Sequence, residues 1–242
     1  MVQEIPFVSV IIVNHNGIEF VDNCLRSVLD SGYPKYEVVF VDNASTDGSL
    51  EYVKRTFDGD PRIRFIENSG SFGPAVGRNM GSRISNGKYL IFLDNDTKVM
   101  KNCITEMVGV MESDNSVGAA QAKLLRMDTG DYDCAGDYLG PLGFLIERSS
   151  GAKDVGQFDF VADILSAKSA ASIIRRDLFN KLGGFDEDFY MYLEETDLSW
   201  RVWLNGYRVV FIPKAVVYHA FNTPKRFQAV LSKIHCKVLW LP

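Results

Sequence analysis

The chain has 242 residues, 46% of them hydrophobic and 24% charged, a globular composition with enough length to bury a real core. Its net charge of −5 excludes a general nucleic-acid binder. The charge is unevenly spread: no Asp or Glu follows Asp197, whereas Arg201, Arg208, Lys214, Lys225, Arg226, Lys233 and Lys237 do, which suggests a basic C-terminal surface for an anionic partner.

In chain order, residues 1–17 lack a basic leader and carry only a short apolar run, so they do not read as a signal peptide. "FVSVIIV" (7–13) is a β-branched strand, and residues 18–30 have apolar positions at helical spacing. "YEVVFVD" (36–42) is the second strand, and "NASTDGS" supplies turn and cap chemistry for a helix at 48–57. "RIRFIE" (62–67) is the third strand. A glycine-rich turn then opens another helix, and "KYLIFLD" (88–94) is the fourth strand.

This alternation predicts an α/β fold with a mostly parallel sheet flanked by helices. After residue 126 the pattern weakens, which predicts loops and short antiparallel strands through 127–163. A strand (169–176), a short helix at "DLFNKLGGF", a helix at 194–206 and strands "YRVVFI" and "AVVYH" follow. The expected organisation is one domain: a regular first half (about 1–100), an irregular mixed second half (about 101–220) and a basic amphipathic C-terminal helix (221–242).

No stretch approaches the roughly 20 apolar residues of a membrane span. Cys24, Cys103, Cys134 and Cys236 form no CxxC or Cys/His cluster and read as reduced thiols of a cytoplasmic protein.

Ligands of open parallel sheets bind beyond the carboxyl ends of the strands. That edge collects Asn14-His15-Asn16, Asp42-Asn43, Glu67-Asn68 and Asp94-Asn95-Asp96. The glycines at 70, 73, 77 and 81 match neither GxGxxG nor a P-loop. Asp94 and Asp96 can face one side and offer hard oxygens to Mg²⁺ or Mn²⁺, although a solvated turn has the same residue types. Glu194, Glu195 and Asp197 crowd a helix start, where charge compensation of the helix dipole is the alternative to catalysis. His219 ends an apolar strand and gains interest from the acidic pair.

"VSVIIVNHNG", "VVFVDNASTDGS", "ENSGSFGPAVGRNMG", "FLDNDTKV", "GGFDEDFYMYLEETDLSWR" and "VVYH" occur in the order seen in family 2 inverting glycosyltransferases of the GT-A fold. Together they resemble most the rhamnosyltransferase-like subgroup, over about residues 7–219. The resemblance implies that Asp42 reads the base of a nucleoside diphosphate-sugar, with backbone at Val13 and Asn14 nearby and Asn68 and Arg78 lining the nucleotide pocket. Asp94 would serve the ribose or a metal-bound water, Asp96 would ligate the Mg²⁺ or Mn²⁺, and His219 would add a metal or phosphate contact. Glu195 would be the general base, with Glu194 as the second assignment, and Asp197 and Tyr192 would lie on the acceptor side.

Asp42 against an imide edge would favour a UDP- or dTDP-sugar, such as dTDP-rhamnose, over GDP. The implied acceptor is a hydroxyl of a glycan or a lipid-linked glycan. The C-terminal stripe of Phe227, Val230, Leu231, Ile234, Val238 and Leu241 would suit peripheral contact with the inner face of the plasma membrane, or a homodimer. The rival readings are a sugar-phosphate nucleotidyltransferase, which would carry a basic glycine-rich loop where "NHNG" stands, and a silent nucleotide-sugar-binding module, which would not need the acidic set.

Overall fold

A computed structural model of the chain describes residues 4–141 and 145–220. The expected C-terminal helix and Cys236 therefore lie outside the described residues. Val8–Asn14 (β1), Tyr36–Asp42 (β2), Ile63–Glu67 (β3) and Tyr89–Asp94 (β4) form the parallel part of a central sheet in the order β3-β2-β1-β4. Helices Val21–Leu29 (α1), Ser49–Phe57 (α2) and Gly73–Ile84 (α3) connect them. The two central strands are buried on both faces, which is why their sequences are continuous apolar runs rather than alternating ones.

Alternation within β1 sorts two cores. Val8, Val10 and Ile12 pack with Val21, Leu25 and Val28 of α1 and Val53 of α2. Ile11 faces the opposite layer with Ala75 of α3. The result is a sheet between two helical layers. α3 lies unusually close to the sheet: a Cβ at Gly77 would stand 2.8 Å from Val13 Cγ1, and one at Gly81 2.6 Å from Ile11 Cγ2. The glycine-rich stretch thus serves helix–sheet packing.

Beyond β4 the chain forms Thr97–Val99 (β5), Cys103–Ser113 (α4) and Val117–Arg126 (β6). Short strands Tyr132–Cys134 (β7), Asp137–Leu139 (β8), Leu145–Glu147 (β9) and Ala162–Asp163 (β10) occupy the stretch expected to be irregular. Ala171–Arg175 (β11), Arg176–Lys181 (α5), Glu194–Leu204 (α6) and Arg208–His219 (β12) complete the described chain. β11 inserts antiparallel between β4 and β6, and β12 runs parallel to β6. Leu178 and Phe179 of α5 and Leu198 and Val202 of α6 fill the second core.

One expectation is corrected. "YRVVFI" and "AVVYH" are a single strand, β12, whose register on β6 shifts between Ile212 and Val216. Pro213 has no N–H to give the ladder, so the strand bulges there and resumes. Among the described residues no helix is long and apolar enough to cross a membrane. Cys24, Cys103 and Cys134 are buried free thiols, and burial pushes each of Cys24 and Cys103 up to about 12.

Candidate functional site

The strand register levels the four carboxyl ends. Asn14 lies beside Asp42, Val13 beside Asp94, and Asp42 beside Glu67. Asn14 is fully buried, and its Nδ2 donates to Asp42 Oδ1 (2.9 Å), Ser45 Oγ (3.0 Å) and Ser49 Oγ (2.8 Å). Its Oδ1 accepts from Asn95 Nδ2 at 2.6 Å, so Asn14 ties the ends of β1, β2 and β4 together.

Asp42, which the resemblance assigns to the nucleotide base, closes β2 at this rim and is 1% exposed. Its Oδ1 also accepts from Ser45 Oγ at 2.6 Å and its Oδ2 from the Ser45 amide at 2.9 Å. These contacts hold the turn through Ala44, at φ 56°. Asn68 is different. Its Nδ2 donates to Asn43 Oδ1 at 2.6 Å, but its own Oδ1 is buried without a hydrogen-bond partner. An orphaned acceptor at this rim suits a donor group of a bound nucleotide.

The acidic pair is built by a tight reversal. Thr97 Oγ1 donates to the Asp94 carbonyl at 2.7 Å, turning the chain from β4 into β5. β5 pairs antiparallel with β12, with Thr97 opposite His219, and the Ala220 amide donates to the Asp96 carbonyl at 3.0 Å. This pairing delivers His219 to the acids: one ligand atom from each of Asp94, Asp96 and His219 lies within 4.8 Å of the others.

His219 Nε2 is 3.2 Å from Asp96 Oδ1, and its Nδ1 is 2.8 Å from Asp133 Oδ2 on β7. Burial alone would lower the imidazole, but hydrogen bonds to Asp133 and Asp96 outweigh it and push the ring up to about 10. A cation at this point would replace the shared proton on Nε2, with Asp133 fixing the tautomer through Nδ1. The donor set fits a divalent cation. Two carboxylates with one imidazole favour Mn²⁺ over the harder Mg²⁺. Asp133 was not singled out in the sequence; it is one acid among several in an aperiodic stretch, and only the shared pairing of β7 and β12 with β6 reveals it.

Behind this cluster sits Arg78 of α3, 3% exposed. Its Nη2 donates to Asp94 Oδ1 and its Nη1 to Glu194 Oε1, each at 2.7 Å. Arg78 thus bridges the acidic pair to α6, and its Nε is buried without a hydrogen-bond partner. Burial, then the neighbouring Glu195 carboxylate, push the Glu194 carboxyl up, and Arg78 pulls the other way.

Glu195 is only partly buried, and its Oε2 is enclosed without a hydrogen-bond partner. Tyr192 (φ 70°) and Leu193 (φ 71°), both left-handed and neither glycine, aim this first turn of α6. Two successive residues in that region carry strain, which concentrates at functional sites. Asp197 ion-pairs with Arg201, which donates to the Leu182 and Gly184 carbonyls at 2.7 and 2.9 Å. Asp197 is thereby tied to scaffold.

The family model "Glycosyl transferase family 2" matches residues 9–183. Over 218 residues the chain is 29% identical to "O-antigen biosynthesis protein RfbC" of Myxococcus xanthus, covering 85% of this chain and 17% of that protein. It is 33% identical over 106 residues to "Putative teichuronic acid biosynthesis glycosyltransferase TuaG" of Bacillus subtilis, covering 44% of this chain and 42% of the relative. The chain thus spans well under two thirds of the length of these relatives.

Among solved structures, a mannosyltransferase from Pyrobaculum calidifontis in complex with GDP-Man and Mn²⁺ superposes with a TM-score of 0.70 at 22% identity, over 93% of this chain and 59% of that one. GalNAc-T7 with UDP, GalNAc and Mn²⁺ gives 0.75 at 20% identity, over 90% and 44%. At such identities the likeness speaks for the fold, which is GT-A.

Proposed function

Because this chain belongs to glycosyl transferase family 2, we propose that it transfers a sugar from a nucleoside diphosphate-sugar to a hydroxyl of a glycan or lipid-linked acceptor, with inversion at the sugar carbon. The observation that carries this reading is the convergence of Asp94, Asp96 and His219 at the rim, joined through Arg78 to the Glu194–Glu195 turn. Asp96, His219 and one oxygen of Asp94 would hold a divalent cation, which when bound supplies positive charge for the departing diphosphate.

The chain's own residues do the rest. Asn68 offers its orphaned Oδ1 to the nucleotide. Glu195 takes the proton from the acceptor hydroxyl as its oxygen bonds to the anomeric carbon and the carbon–phosphate oxygen bond breaks. Glu194 is committed to Arg78 at 2.7 Å, which leaves Glu195 as the better base. Metal on one side of the sugar and base on the other gives attack opposite the leaving group, hence inversion. Arg78 and the strained Tyr192–Leu193 turn hold the two sides in a fixed relation, the positioning that such a displacement needs.

Asp42 as reader of the base favours a UDP- or dTDP-sugar, dTDP-rhamnose among them, and a donor panel that adds GDP-sugars tests this preference. Relatives named for O-antigen and teichuronic acid biosynthesis support a surface-polysaccharide acceptor. The test is Glu195→Gln: donor binding in the presence of Mn²⁺ is retained and transfer falls at least 100-fold. Full transfer by this variant would remove Glu195 from the mechanism.

A further inference from the structure

A partly buried charge cluster lies beside α6. Lys168 Nζ is 3.0 Å from Glu147 Oε1 and 3.4 Å from Asp137 Oδ2. Asp137 and Glu147 face each other across the β8–β9 hairpin, and Asp137 is 1% exposed. The segment preceding Lys168 is stitched to the first turns of α6: Ser166 Oγ meets Thr196 Oγ1 at 3.1 Å, and the Ala167 amide donates to Ser199 Oγ at 3.1 Å. Ser199 Oγ in turn donates to the Glu195 carbonyl at 2.7 Å.

Ala167 and Glu195 also line the same small cavity, with Phe92, Phe185 and Leu198. Glu195 stands next after Asp137 among the charges that raise the Lys168 ammonium against its burial, which puts the two side chains in each other's field. The other charged or titratable neighbours of Glu195 are Glu194, Arg78, Tyr192 and Asp137.

Each of the two adjacent glutamates is thus given a separate cation. Arg78 grips Glu194 at 2.7 Å and is shared with Asp94. Lys168 is anchored by Asp137 and Glu147 and sits near Glu195 without an ion pair to it among the described contacts. A cation that grips a base takes its lone pairs, whereas one held a step away biases its orientation and leaves it free to accept a proton. We propose that Lys168, held by the Asp137–Glu147 hairpin, is a positioning residue that orients the Glu195 carboxylate toward the acceptor hydroxyl. The inference rests on the reading of Glu195 as general base.

The experiment compares Lys168→Met and Lys168→Arg with the unaltered protein in steady-state transfer, alongside donor binding and thermal unfolding. Lys168→Met is expected to lower kcat 10- to 100-fold, the scale of a base displaced by about 1 Å, while the donor KM stays within twofold. Lys168→Arg, which keeps the charge, is expected to recover most of kcat. A purely structural lysine would lower the unfolding temperature and disturb KM with kcat, and the Arg variant would not rescue; that pattern overturns the proposal.

A raised donor KM with kcat unchanged would place Lys168 on the donor and also overturn it. If Lys168→Met fails to fold, Lys168→Gln with the same readouts decides. Glu195→Gln, run in parallel, separates the two failures. Activity in Glu195→Gln sinks the base assignment, whereas an inactive Glu195→Gln beside a fully active Lys168→Met sinks this inference alone.

Discussion

Arg78 is the residue whose removal tests the architecture most severely. It joins Glu194, with both side chains 4% exposed, to Asp94, which is 35% exposed. Replacing it by methionine keeps the packing volume over the Phe185 ring, 5.6 Å from the guanidinium carbon, and also removes a buried Nε that has no hydrogen-bond partner. What it leaves is a buried carboxylate at Glu194 without a cation.

Breaking a buried pair in this way costs about 3–5 kcal/mol. Asp94 reaches solvent and adds little, so the lower end applies, about 3 kcal/mol at pH 10, where Glu194 is ionised beside Arg78. In a chain of this size that is a fall of about 6–12 °C in Tm. Burial and Glu195 already push Glu194 up, and losing Arg78 removes the opposing pull. Glu194 then takes a proton readily, so the penalty shrinks toward pH 5. Urea and thermal unfolding of Arg78→Met, Glu194→Gln and the double variant at both pH values measure this. The double variant is expected to recover about half the loss. A loss under about 1 kcal/mol at pH 10, or an equal loss at both pH values, would refute the buried-bridge reasoning.

Two further outcomes follow from local geometry. Gly73 sits at φ +83°, and a Cβ there would lie 2.2 Å from the Tyr190 carbonyl oxygen. Gly73→Ala is therefore expected to cost at least about 1–2 kcal/mol from the left-handed backbone alone, and to lower transfer by shifting the Tyr190–Leu193 segment; unchanged kinetics and unfolding would argue against that contact. Burial pushes the Asp137 carboxyl up to about 6, against the pull of Lys168, with Glu147 and Glu195 adding to the rise. A carboxyl raised in the folded state stabilises below its unfolded pKa and loses that contribution as pH climbs through 6. Relative to the unaltered protein, Asp137→Asn is thus expected to gain about 2–3 kcal/mol of stability between pH 3.5 and pH 7, read from urea midpoints across that range.

Much of the framework was legible because it is local. The apolar runs of β1 and β2 have no reading other than buried strands, and the polar residues closing β1, β2, β3 and β4 mark one edge of the sheet. Asp94 and Asp96 were legible as a pair for the same reason. What could not be read depends on contacts between distant segments. That Asn14 and Ser45 hydrogen-bond Asp42 cannot be read from its sequence neighbours. Arg78, expected to line the nucleotide pocket, also joins Asp94 to Glu194, 116 positions along the chain.

His219 carried little weight as a single histidine, because its place beside Asp96 comes from β5 pairing with β12 and its Asp133 partner from β7. The bulge that lets β12 continue past Pro213 likewise depends on its partner strand β6. Asp197, crowded with Glu194 and Glu195 in sequence, turns toward Arg201 once the helix forms.

We propose that Asp94, Asp96 and His219 form a divalent-cation site on which donor binding depends. The most direct measurement is calorimetric titration of UDP, dTDP and GDP, and of their sugars, into the unaltered protein and Asp96→Ala, each with Mn²⁺ and with EDTA. The expected result is that at least one nucleotide binds with Mn²⁺, loses most of its affinity in EDTA, and shows no Mn²⁺-dependent binding to Asp96→Ala. Equal binding with and without metal, or Mn²⁺-dependent binding that survives in Asp96→Ala, would contradict it.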